Sequence, residues 1–361
     1  MQFSTNKPPA VSTSKRFELD ASPGSPMKSR TAGLSFCQFQ PRYSQKLGDS
    51  EIMQLKLNIN TSLGAVAYSD GSLQIISTML GDKLYEIKDE QMYFPITCVA
   101  WKPTRSESQE HQKLLGTTLN GEILRWTPMH GNSVDHLRLD ESHRYHAIDY
   151  SNDGRKFCIG GAQPTIEIWD EDRLVKVQSF GDKVAPAHTN KVFTCRFSQK
   201  DQNMMYSGGW DSQIKFWDIR ASQVVHRIGG VQVCGESVDI SSDGNYVVTG
   251  GGSKGEGIKL WDFRDMKAPL RTINWHSDGG KSFNPLINCA RFVPGQNLVL
   301  VGANDDTAAK SFNIATGAVV EEFKQIRGTC FSLDVSDDAS VCCFGDGDGQ
   351  IHFKNLTYQQ N

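Results

Sequence analysis

Residues 205–220 read Met205-Tyr206-Ser207-Gly208-Gly209-Trp210-Asp211-Ser212-Gln213-Ile214-Lys215-Phe216-Trp217-Asp218-Ile219-Arg220. Two short arms flank a tight polar corner. The first arm closes on small residues, and the second alternates apolar with polar residues before ending in Trp-Asp. Period-two alternation on both sides of an Asp-Ser corner predicts a β-hairpin.

Working outward, the second arm has counterparts along the whole chain. Leu73-Gln74-Ile75-Ile76, Ile123-Leu124-Arg125-Trp126 and Ile166-Glu167-Ile168-Trp169 precede it. Ile258-Lys259-Leu260-Trp261, Ala309-Lys310-Ser311-Phe312 and Ile351-His352-Phe353 follow it. With Ile214–Trp217 this makes seven units about 46 residues apart, close to the roughly 40–45 expected of four-strand propeller blades. No stretch sustains a 3.6-residue apolar period.

Trp169-Asp170, Trp217-Asp218 and Trp261-Asp262 resemble the terminal Trp-Asp of WD40 repeats, and the resemblance covers residues 34–356. It implies an all-β fold, a single seven-bladed β-propeller. In the best-matching unit it also implies a buried polar network of His188, Ser207, Asp211 and Trp217, in which the histidine ties strands together. A catalytic reading of that Ser/His/Asp set lacks an oxyanion-hole or nucleophile-elbow signal. Units one, six and seven end Ile76-Ser77, Phe312-Asn313 and Phe353-Lys354, so packing is expected to replace the network there. The last unit lacks a fourth strand, and Leu34–Phe39 precedes the first without a unit of its own. The N-terminal strand is therefore expected to complete the last blade, removing exposed sheet edges. This places the propeller at 34–361 and a disordered Ser/Pro-rich tail at 1–33. Ser22-Pro23 and Ser25-Pro26-Met27-Lys28 lie in that tail, and the second resembles a site for proline-directed kinases.

Composition narrows the function classes. Hydrophobic residues are 38% and charged residues 22%, and a net charge of −3 gives no global attraction to nucleic acid or an anionic membrane. No apolar run reaches bilayer length, and residues 1–30 lack a signal-peptide core. The nine cysteines include no C-x-x-C, so reduced core thiols inside the cell, in the cytoplasm, are expected rather than disulfides or zinc. No cofactor or metal is expected. Gly250–Gly255 lacks the spacing of a phosphate loop, and Asp346-Gly347-Asp348-Gly349 lacks the terminal Glu of a calcium loop. His143, His146 and His276 have no partner at metal-ligand spacing.

Binding residues belong to loops held by a rigid scaffold. Trp210 precedes the turn Asp211 and is expected to project from the narrower face. Leu119, Ala162 and Asp305 hold the matching turn positions. Loops on that face carry Tyr93, Phe94, Arg144, Tyr145, Lys191 and Phe283, an aromatic and basic surface suited to a peptide with apolar and acidic side chains. The stretch 205–220 is also similar to the box by which WD40 substrate receptors dock on cullin-4 ubiquitin ligases. Trp217-Asp218-Ile219-Arg220 and Trp261-Asp262-Phe263-Arg264 would put Arg220 and Arg264 on the wider face. The expected role is a non-enzymatic scaffold or adaptor, monomeric within a hetero-complex, whose partners are other proteins or peptide motifs. The alternatives are a cullin-4 receptor and a structural subunit of a cytoskeletal or axonemal assembly.

Overall fold

A computed structural model describes residues 36–87, 94–104, 112–130, 134–138, 143–181, 188–253, 256–276, 284–305, 307–326 and 328–359. The chain divides into two units, Met1–Phe36 with Tyr358–Asn361, and Cys37–Thr357. The second unit is the propeller. The tail, with Ser22 and Ser25, and residues Tyr93 and Phe283 lie outside the described residues.

Each of the seven sheets has four antiparallel strands, and in blades one to six they follow chain order from the inner strand outward. The inner strands are Ile52–Leu57, Ile96–Trp101, Tyr145–Tyr150, Val192–Phe197, Val238–Ile240, Ile287–Phe292 and Cys330–Val335, for blades one to seven. The blade-seven sheet takes its outermost strand from the start of the chain. Phe36–Lys46 pairs beside Gln350–Gln359, so the closing strand is longer than Leu34–Phe39 and displaced toward the C-terminus.

Most inner strands slip register after their first residue, as between Val192 and Thr194 or Ile287 and Cys289. The slip is a bulge, and it turns the second residue of the strand out of the ladder. The second strands end in small residues for a steric reason. A Cβ on Gly209 would lie 2.0 Å from the carbonyl oxygen of Lys191, and one on Gly161 would lie 2.0 Å from that of Arg144. Only glycine lets the corner press against the start of the inner strand.

The core lies between blades rather than at the ring's centre. Phe180, Phe197, Met205 and Trp217 pack with Ile166 and Ile168 between blades three and four. Ile258, Trp275, Phe292 and Phe312 do the same between five and six. Ile52, Leu55, Val341 and Phe353 join the first blade to the last. Face-to-face sheets of this kind bury large aromatics in a dry layer, and Trp217 and Phe312 are fully buried. Among the described residues no helix is long and apolar enough to cross a membrane.

Candidate functional site at the mouth where the inner strands begin

Blade four holds its corner with a four-member hydrogen-bond chain. Trp217 Nε1 donates to Ser207 Oγ at 2.8 Å, and Ser207 Oγ lies 2.7 Å from His188 Nε2. His188 Nδ1 lies 2.8 Å from Asp211 Oδ2. One proton arrangement satisfies every member: indole N–H to serine oxygen, serine O–H to Nε2, and Nδ1–H to the carboxylate. Burial opposes ionisation of Asp211, but His188 and the N–H groups of Thr189 and Gln213 hold its pKa below the usual carboxylate value. Ser207 is fully buried and its hydroxyl is engaged at both ends, so it presents no nucleophile to solvent.

Blade seven differs from the expectation of packing alone. His352 Nε2 donates to Asp346 Oδ2 at 2.9 Å, and Ser44 Oγ lies 2.8 Å from His352 Nδ1. The histidine comes from the third strand and the hydroxyl from the closing strand, so a Trp-Asp motif scan passes over it. Asp346 also accepts the N–H groups of Asp348 and Gln350, and its oxygens are spent within the turn. In blade six Trp275 Nε1 donates to Asp305 Oδ2 at 2.7 Å, which draws Asp305 into a structural role. All nine cysteines are free thiols, and among the described residues no group of His, Cys, Asp or Glu is arranged to hold a metal.

The blade-four network sets the backbone that presents Trp210. Its N–H donates to the Lys191 carbonyl at 3.0 Å, pinning the corner to the mouth where the inner strands begin. Trp210 is 40% exposed. Its other face lies on Phe193, with ring centroids 5.2 Å apart and a 30° tilt, and Lys191 Nζ sits 5.0 Å from the indole centroid. Phe193 in turn stacks on His146 of blade three at 4.8 Å and 10°. Burial, followed by the charges of Lys191 and Arg144, lowers the His146 pKa to about 4, so the imidazole is neutral at pH 7 and behaves as an aromatic plate. The result is a continuous stack across two blades with cations at its rim.

Sequence reasoning named Trp210 and Lys191 but missed Phe193 and His146. Both are second residues of inner strands, and the bulge that turns them out of the ladder leaves no mark in a period-two pattern. Arg144 is exposed beside the stack, and Phe94, 47% exposed, lies on blade two with the half-buried Leu119. Leu119 donates its N–H to the Pro95 carbonyl, and Ala162 donates to that of Arg144. Tyr145 does not belong to this surface. It is 3% exposed and packs with Cys98, Ile148 and Ile159 between blades two and three, because it is the first residue of its strand and precedes the bulge.

Arg220 and Arg264 follow the third strands and lie at the opposite mouth, both exposed. Arg264 makes two bonds to Asp262, Nε to Oδ1 at 2.9 Å and Nη2 to Oδ2 at 2.7 Å. Arg220 Nη2 sits 3.5 Å from Asp218 Oδ2.

The WD40 description "WD domain, G-beta repeat" matches residues 181–218 and 230–262. These are blades four and five, where the Trp-Asp endings and the polar network are most complete. Blades four and five are WD40 repeats, set in a seven-bladed β-propeller. It is 24% identical over 230 residues to the serine-threonine kinase receptor-associated protein of Dictyostelium discoideum, covering 63% of this chain and 70% of that one. It is 26% identical over 299 residues to the guanine nucleotide-binding protein subunit beta of Arabidopsis thaliana, covering 79% and 75%. It is 28% identical over 193 residues to the LEC14B protein of Lithospermum erythrorhizon, covering 47% of this chain and 39% of that one. The match to LEC14B thus spans less than two thirds of the relative's length.

Proposed function

We propose that this WD40 propeller is a non-catalytic intracellular scaffold, and that a partner peptide docks at the mouth bearing Trp210. The observation that carries this reading is the His146–Phe193–Trp210 stack with Lys191 and Arg144 beside it. A half-exposed indole held rigid from beneath loses little conformational entropy on binding, and such residues dominate interface energetics. The cations favour acidic side chains next to the apolar anchor. Two relatives carry an assembly in their names, one as receptor-associated and one as a subunit, which fits a scaffold. Affinity purification of the tagged chain from its native cell, with Trp210→Ala in parallel, tests the reading. The main partner should be lost from the variant, and equal recovery from both would refute it.

A second reading makes the opposite mouth the docking surface, as a cullin-4 substrate receptor. Its support is the pair of exposed arginines each oriented by its own Trp-Asp aspartate. Capture of the ligase adaptor by wild type, lost in Arg220→Ala/Arg264→Ala, would favour it. No capture by wild type would end it.

A further inference from the structure

One position of each inner strand lines the bore, the fifth residue in six of them and the second in the three-residue strand Val238–Ile240. In blade order these residues are Lys56, Ala100, Asp149, Arg196, Asp239, Arg291 and Asp334. Their signs run plus, neutral, minus, plus, minus, plus, minus, and the ring then returns to Lys56. Among the described residues the alternation breaks at one slot alone. A ring of seven cannot alternate throughout, so one slot must be neutral or must repeat a sign.

The three carboxylates share a second contact. Asp149 Oδ2 accepts the N–H of Phe197, Asp239 Oδ2 that of Phe292, and Asp334 Oδ2 that of Leu57, each at 2.9 Å. In each case the donor follows the cationic slot of the next blade. Each aspartate therefore clasps the backbone of the next blade beside that blade's cationic slot. Arg196 Nη1 also lies 3.2 Å from Asp239, and Arg291 Nε lies 4.0 Å from Asp334.

We propose that this alternating ring is the closure lock of the propeller, and that Ala100 is its neutral slot. Two consequences of the odd blade number are visible. Asp239 and Asp334 each sit between two cationic slots, whereas Asp149 has Arg196 on one side and Ala100 on the other. Lys56, the other neighbour of Ala100, lacks a carboxylate on that side, and its ammonium reaches across the bore to Glu236 of blade five at 2.5 Å. Arg291 bonds the same carboxylate. Burial opposes ionisation of Glu236, but Lys56, Arg291 and Arg196 bring its pKa down to about 2. Asp149 shows the reverse balance. Burial raises its pKa, opposed by Arg196, by the Phe197 N–H and by Lys56, while Glu236 adds to the rise.

Asn at a ring position keeps an oxygen for the backbone N–H but removes the charge, so it isolates the electrostatic part. Asp149→Asn should raise the melting temperature by a few degrees at pH 7, and the gain should shrink as the pH is lowered, because the wild-type carboxylate then takes up a proton. Asp239→Asn should lower the melting temperature by a comparable amount, since it takes one carboxylate neighbour from each of two cations, Arg196 and Arg291. Ala100→Lys should raise it in the wild-type background and not in Asp149→Asn. Circular dichroism on each variant confirms that the sheets are retained. Equal losses for Asp149→Asn and Asp239→Asn, or an Ala100→Lys effect that ignores residue 149, would overturn the lock.

Discussion

The indole of Trp210 rests on the ring of Phe193 at 5.2 Å, and Phe193 rests on His146 at 4.8 Å. A corner of blade four is thereby supported by the inner strand of blade three. Trp210 needs this support, because a turn tryptophan without an underlying ring would be free to reorient.

Removing Trp210 should therefore separate binding from stability. Trp210→Ala is expected to weaken partner affinity by ~30-fold or more, equivalent to ~2 kcal/mol, as for a central aromatic anchor. Its melting temperature should stay within ~2 °C of wild type, because much of the indole is already in water. Titration calorimetry against the purified partner, with thermal melts alongside, checks both halves.

The buried chain through Ser207 should behave in the opposite way. Trp217→Phe keeps most of the ring's volume but takes the indole donor from Ser207. A stability loss of about 1–3 kcal/mol is expected, with exposed residues at the mouth still in place. Chemical denaturation would detect it, and a neutral outcome would show that the network contributes little net stability.

His146 gives a pH dependence of definite sign. Its folded pKa is lowered to about 4, whereas the unfolded chain takes up a proton near ~6.5. The contribution to stability is complete above the unfolded value and falls away as the pH drops toward 4. Asp211 and Glu236, whose pKa values are depressed, act in the same direction further down, below the usual carboxylate values. His146→Phe preserves a ring for the stack and removes the titration. Its melting temperature should thus depend less steeply on pH between ~6.5 and ~4 than that of wild type.

Two backbone positions in blade four should respond in opposite directions. Ser212 has a φ of 57°, a left-handed conformation that the matching turn residues Gly71, Gly121 and Gly349 adopt without strain. Ser212→Gly is expected to stabilise the fold by ~0.5 kcal/mol, the relief of strain exceeding the added chain entropy. Gly209→Ala should cost about 2–3 kcal/mol, because the new methyl meets the Lys191 carbonyl. Gly229→Ala is the control, since nothing lies within 4 Å of its Cβ position. Equal effects at 209 and 229 would count against the steric argument.

Much of the architecture was legible in local patterns. Strand alternation, the Ser207-Gly208-Gly209 corner and the Trp-Asp endings each depend on neighbours within one hairpin, and local rules suffice for those. The blade-seven bond between His352 and Asp346 was not legible, because the histidine occupies an ordinary strand position. Nor was the burial of Tyr145, the residue just before His146, which the bulge turns onto Phe193.

By itself, the sequence determined a chain of seven hairpin-rich units, a first strand left over to close the last, and one near-ideal blade around Trp217. These follow from period-two patterning and turn chemistry, which act over a few residues. Only the tertiary structure decided that His146, Phe193 and Trp210 form one stack, and that Lys56, Asp149, Arg196, Asp239, Arg291 and Asp334 alternate round one bore. Those residues lie tens to hundreds of positions apart. They meet because ring closure carries every inner strand to a common axis, and bulges near the strand starts choose which side chains face it.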